Sequence, residues 1–154
     1  TAPTMPTSYD YRRRIGSILR EAATIVPFTQ DGDDFYRQTV AADIAAANPG
    51  TAAVTRTLSV PTGVRLKAYV FTAVVTTTIS SPTIYLSDLS NVDAAAAITG
   101  AATFNAQDNA RGGGQAEVWT NTSAQIRSRM SGSAADLTLY ITTLGWHDRR
   151  GRDS

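Results

Sequence analysis

Asp136-Leu-Thr-Leu-Tyr-Ile-Thr-Thr-Leu-Gly-Trp146 decides how this chain reads. Leu137, Leu139, Ile141 and Thr143 alternate with Thr138, Tyr140 and Thr142. Side chains along a strand point to opposite faces in turn, so a period of two marks a half-buried strand. Its β-branched and aromatic residues suit a pleated surface. The same alternation recurs upstream. In 53–60, Val54, Arg56, Leu58 and Val60 share one face, with Thr55, Thr57 and Ser59 on the other. In 64–75, Val64, Leu66, Ala68, Val70 and Thr72 oppose Arg65, Lys67, Tyr69 and Phe71. Residues 83–87, 115–120 and 124–131 add three shorter strands, the last setting Ile126 and Met130 against Arg127 and Arg129.

Between these segments lie turn signals. Pro61-Thr-Gly63 turns the chain, and Arg111-Gly-Gly-Gly114 reads as a flexible turn. Residues 88–100 read as a loop with a possible helical turn through 94–97. Residues 11–40 read as a three-strand meander, turning first near Glu21-Ala-Ala and then at Asp31-Gly32, a type I′ hairpin signal. Pro27 puts the middle strand at an edge. Residues 41–47 are either one helical turn or an Ala-rich strand end, stopped by Asn48-Pro49-Gly50.

Eight or nine strands with no long helix predict an all-β fold, an antiparallel β-sandwich of jelly-roll type. The absence of an internal repeat argues against a β-helix or propeller. The expected organisation is an extended arm or linker over 1–10, the sandwich over 11–148 and an Arg-rich tail over 149–154. The chain opens on Thr1-Ala-Pro-Thr-Met-Pro-Thr7, which reads as a linker, so a fragment or a processed product is expected.

With 154 residues the chain is long enough to bury a core without staples. It has no Cys, which excludes disulfides and Cys-based metal sites. No apolar run approaches the roughly 18 residues of a membrane-spanning helix, so no membrane insertion is expected. A net charge of +1 gives no reason to expect a nucleic-acid partner. Lys67 is the only Lys and every other cation is Arg, a bias that GC-rich codon usage would also produce. Arg12-Arg-Arg14, Arg149 and Arg150 are candidates for ion pairs between subunits, and Trp146 is grouped with them as an interface residue.

No catalytic set is evident. His147 is the only His; its neighbour Asp148 could orient it, but an exposed or interface position is expected. No Gly-x-Ser-x-Gly elbow is present. The carboxylates of Glu21, Asp31, Asp33, Asp34, Asp88, Asp93, Glu117 and Asp136 fall near turns, where solvation is the default. Asp31-Gly-Asp-Asp34 lacks the order of a calcium loop, with Ala42 where its closing Glu would stand. No cofactor and no metal are expected. Asn121-Thr-Ser123 matches a glycosylation sequon, of consequence only in a secretory pathway. Sugars pack their C–H faces on exposed aromatic rings, and polar side chains fix the hydroxyls. That logic makes Trp119, Asn121, Tyr85 and Arg127 the candidate ligand-binding residues.

Six stretches carry a family resemblance: Tyr11-Arg-Arg-Arg-Ile-Gly-Ser-Ile-Leu-Arg20, Pro27-Phe-Thr-Gln-Asp-Gly-Asp-Asp-Phe35, Leu58-Ser-Val-Pro-Thr-Gly63, Tyr85-Leu-Ser-Asp88, Asn121-Thr-Ser-Ala-Gln-Ile-Arg-Ser-Arg129 and Thr143-Leu-Gly-Trp-His-Asp-Arg-Arg-Gly-Arg152. Across about 1–152 the chain resembles virion structural proteins of tailed bacteriophages. The resemblance implies a non-enzymatic component of a tail fibre, tail tip or capsid appendage, located in the virion and assembled as a homotrimer with other virion proteins. It brings no catalytic residues. The expected task is attachment to a host-surface glycan or protein. The alternatives are capsid decoration or a head fibre with a purely structural role, and a fragment of a polysaccharide depolymerase.

Overall fold

A computed structural model describes residues 7–8, 15–78, 82–98, 102–105 and 111–150. Among them are eleven strands: β1 (Arg20–Glu21), β2 (Thr24–Ile25), β3 (Phe28–Asp31), β4 (Asp34–Ala47), β5 (Val54–Thr57), β6 (Lys67–Val75), β7 (Thr83–Ser87), β8 (Phe104–Asn105), β9 (Arg111–Trp119), β10 (Gln125–Met130) and β11 (Thr138–His147). No helix occurs among the described residues. One sheet has the order β3-β4-β11-β6-β9, a second β5-β10-β7-β8, and β1 pairs with β2 as a short ribbon. Every pairing is antiparallel. Without β3 the two sheets read 4-11-6-9 and 5-10-7-8, the strand order of an eight-stranded jelly roll.

The alternation in the sequence assigns the faces correctly. Leu66, Ala68, Val70 and Val74 of the β6 segment, Ile126 and Met130 of β10, and Leu139 and Ile141 of β11 form the core with Leu58, Val60, Ile84 and Leu86. Phe35 and Trp146 close one end of it. Their rings stack at 5.5 Å and 6°, and Phe28 meets Trp146 edge-on at 5.9 Å. Such pairs add about 0.5–1.5 kcal/mol beyond the area they bury.

Trp146 is therefore a core residue, wholly buried, and not the subunit-interface residue expected. The reason is a bulge. Thr143 pairs with Val70 of β6, but Gly145 pairs with the next residue, Tyr69. Leu144 is the extra residue. A bulge shifts the phase of everything after it, so Trp146 turns inward and His147 outward. On the other side, β4 spends residues 37–40 between the partners of Thr143 and Gly145. The Arg37 side chain folds back there onto the Glu21 carboxylate at 3.0 Å and the Ser59 carbonyl at 3.1 Å.

Several local expectations change. Residues 15–19 form no strand; they strap across the aromatic cluster, with Leu19 buried and the Ser17 hydroxyl accepting the Trp146 indole N–H at 3.1 Å. The I′ geometry belongs to Ala22-Ala23, both with positive φ (44° and 65°). At the second hairpin the loop is Gly32-Asp33, and only Gly32 has positive φ, the II′ pattern. Residues 41–47 belong to β4, the strand end of the two alternatives. Residues 94–97 contain no helical turn, and Ala96 is buried.

Arg111 to Gly114 is not a turn. These residues start β9 and pair with Val75 to Thr72 of β6. The glycines are needed for contact rather than for bending. A Cβ on Gly113 would lie 2.8 Å from the Phe71 ring, and one on Gly114 would lie 3.3 Å from Phe104. Expectations for 1–6, 9–14 and 151–154, including most of the arm, the Arg12-Arg13-Arg14 cluster and the end of the tail, lie outside the described residues.

Gly145 is the tightest glycine: a Cβ would sit 2.2 Å from the Phe35 carbonyl oxygen. The atoms it would strike are the β4 backbone, which cannot swing aside, so Gly145→Ala is expected to destabilise by about 3 kcal/mol. That corresponds to a fall in Tm of roughly 6–12 °C for a domain of this size. Gly113→Ala meets the Phe71 ring at 2.8 Å and the Thr72 carbonyl oxygen at 3.0 Å, a milder clash, and should lose less than Gly145→Ala. Differential scanning calorimetry of the two variants checks the order.

Candidate functional site

The outer face of the five-stranded sheet carries two aligned rows. Asp34, His147, Lys67 and Trp119 stand opposite one another across β4, β11, β6 and β9. One step along, Tyr36, Gly145, Tyr69 and Glu117 do the same. Strands in a sheet lie about 4.8 Å apart, so Tyr36 and Tyr69 would ordinarily be separated by the side chain between them. Gly145 has none. The two rings close over it, with centroids 5.9 Å apart and planes inclined at 19°.

Beside the rings opens a cleft of about 610 Å³, lined by Asp34, Tyr36, Tyr69, Gln115, Glu117 and Leu144, with Val70 and Ala116 at its floor. The bulge is what presents Leu144 to it. Past Phe71, a second hollow of about 420 Å³ is floored by Gly112 and Gly113 and rimmed by Tyr140 and Arg111.

Polar groups in the first cleft are held in fixed directions. Asp34 Oδ1 accepts from the Tyr69 hydroxyl and lies 2.7 Å from His147 Nδ1. Glu117 Oε2 accepts from Lys67 at 2.9 Å. The Tyr69 hydrogen bond and then His147 hold the Asp34 carboxyl below the usual carboxylate range. Burial, reinforced by Asp34, pushes the Tyr69 hydroxyl up, so it remains a protonated donor. The site offers stacking surface, carboxylate acceptors and an amide. Among the described residues no group of three or more His, Asp or Glu could hold a metal ion.

The residues singled out from sequence are not brought together. Trp119 lies at the end of the first row, its ring faced by Arg65 at 5.2 Å and Lys67 at 5.7 Å. Asn121 is committed to the β9–β10 turn, its Oδ1 accepting from the Ser123 and Gln125 amides, both at 2.9 Å. Tyr85 and Arg127 stand on the other sheet, and Arg127 donates to the carbonyls of Asn91 and Leu89. Arg150 ion-pairs with Asp33 of its own chain, and Arg149 is exposed. His147 meets Asp34 across the sheet.

The acidic residues are mostly not left to solvent. Asp136 accepts from Thr76, Thr77 and Thr78 and fixes the end of β6. Asp88 takes Arg65 and the Ser90 amide. Glu21 pairs with Arg37, and Asp93 with Arg129 at 2.7 Å. An Arg-rich chain supplies donors long enough to reach them. Asp34 and Tyr36, two apart in a predicted strand, were legible as one face; the bulge that joins them to Tyr69 was not. No protein-family model matches the chain, and no curated protein matches its sequence.

Acid should expose this web. The Thr78 and Thr77 hydroxyls and the Thr77 amide hold Asp136 well below its ordinary value. For Asp88, burial acts upward but is outweighed by Ser90 and Arg65, leaving a lowered value. A carboxyl whose folded value lies below its unfolded value stabilises the fold above the unfolded value, about 4, and that stabilisation fades as pH falls through the folded value. Tm measured from pH 7 to pH 2 should therefore hold steady to about pH 5 and decline below it. Asp88→Asn should start lower at pH 7 and decline less.

Proposed function

We propose that this chain is a non-enzymatic structural domain of a tailed-phage virion, an oligomeric domain of a tail fibre or surface appendage that attaches the particle to the host surface. The observation that carries this reading is the outer face of the five-stranded sheet. Tyr36, Tyr69, Phe71 and Tyr140 all point to it, and Tyr36 and Phe71 are 46% and 41% exposed. A sheet facing water ordinarily shows polar residues there. A contiguous apolar and aromatic surface rimmed by polar side chains marks a place of contact.

The scaffold suits the task. A jelly roll leaves few long sheet edges and holds a surface rigidly, and capsid and lectin domains are built on it; this is analogy at the level of fold. The resemblance of both ends of the chain to phage proteins supplies the virion context. Association in threes would cover surface that one sandwich leaves open.

Immunogold electron microscopy of intact virions tests this role, with label expected at the tail or at fibre tips. Uniform label over the head would overturn the appendage reading. Light scattering on the purified chain should return three times the 16.4 kDa of one copy. A monomer that hydrolyses host polysaccharide would contradict both the assembly and the absence of catalysis.

A further inference from the structure

We infer that the cleft over Gly145 is a binding site for a neutral sugar ring of a host-surface polysaccharide, whose chain continues over Phe71 toward the hollow beside Tyr140. The inference rests on the attachment role proposed above and adds the site and the chemical class of its ligand.

The chemistry of the cleft selects the ligand. The Tyr36 and Tyr69 rings, 5.9 Å apart, both line the cleft and offer it aromatic surface for the C–H face of a pyranose. A platform that is already stacked loses little freedom on binding. Asp34 has one carboxylate oxygen engaged by Tyr69 and His147, and Glu117 has one engaged by Lys67. The second oxygen of each is an acceptor for a sugar hydroxyl, and the Gln115 amide can both donate and accept. Carboxylates at both ends of the cleft oppose a uronic or sialic acid. The nearby ammonium of Lys67 is neutralised by Glu117 and turned toward Trp119. A neutral ring with several hydroxyls is what remains.

The direction of the chain follows from the strand. Tyr69, Phe71 and Ala73 lie on one face of β6, and four residues of strand span about 13 Å. That distance links the tyrosine cleft to the hollow floored by Gly112 and Gly113. That hollow, of about 420 Å³ between Phe71, Arg111 and Tyr140, gives a second ring a place beside Phe71.

The test titrates the full chain with neutral gluco-, galacto- and manno-oligosaccharides and with matched uronic-acid oligosaccharides by isothermal titration calorimetry, alongside binding to host cells. At least one neutral series should bind and the acidic series should not. Tyr36→Ala should weaken that binding at least tenfold. Gln115→Ala, at an exposed position where misfolding is not expected, should weaken it several-fold. Tyr85→Ala, on the other sheet, should leave it unchanged. Oligomeric mass should not move in any of the three, and each should still melt in a single cooperative transition. Preference for acidic oligosaccharides, or Tyr36→Ala binding like the parent, would overturn the site while host-cell binding keeps the attachment role. A change of oligomeric mass in Tyr36→Ala would make this face a contact between copies and also overturn the site. A chain that binds neither sugars nor cells would defeat both.

Discussion

One extra residue in β11 sets the geometry of both faces of the five-stranded sheet. Leu144 bulges between Thr143 and Gly145, and the phase of the strand changes there. Without it, a period of two running from Leu137 would send Trp146 to solvent and His147 into the core. With it, Trp146 stacks on Phe35 inside and His147 meets Asp34 outside. Gly145 is required at the same point for two reasons. Its backbone presses against the Phe35 carbonyl, and its missing side chain lets Tyr36 and Tyr69 meet.

The core and the surface are thus coupled through β11, the central strand of its sheet. It pairs with β4 on one side and β6 on the other over nearly its full length. The inner row of Leu139, Ile141 and Trp146 is wholly buried. Burial of such side chains, at roughly 25 cal/mol per Å² of apolar area, is the main favourable term for a sandwich of this kind. The outer residues contribute little to it, so their identity is open to selection for contact with something else. The aromatic row on that face is the residue choice that core packing does not explain.

Much of this was legible because alternation is a local property. Leu66, Ala68 and Val70 face the core, and Arg65, Lys67, Tyr69 and Phe71 face outward, as their spacing requires. The jelly-roll type followed from the number and spacing of strands. What failed was non-local. Arg111-Gly-Gly-Gly114 has the composition of a turn, and only the Phe71 ring packed against Gly113 shows why those glycines belong in a strand. Asn121 looked available for a ligand because its turn contacts involve backbone amides, which carry no sequence signature. Trp146 was misplaced because a bulge leaves no mark in an alternating pattern. The cleft draws residues from four strands far apart in the chain, so its members could be named singly but not as a set.

The central claim is that the outer face of the five-stranded sheet, shaped by the β11 bulge, is where this protein meets the host surface. An amide chemical-shift titration of the isotope-labelled chain with oligosaccharides released from host cells tests it most directly. The account predicts shifts concentrated at 34–36, 67–71, 115–117 and 144–147, with the four-stranded sheet silent. Shifts gathered instead around Tyr85 and Arg127 would contradict it.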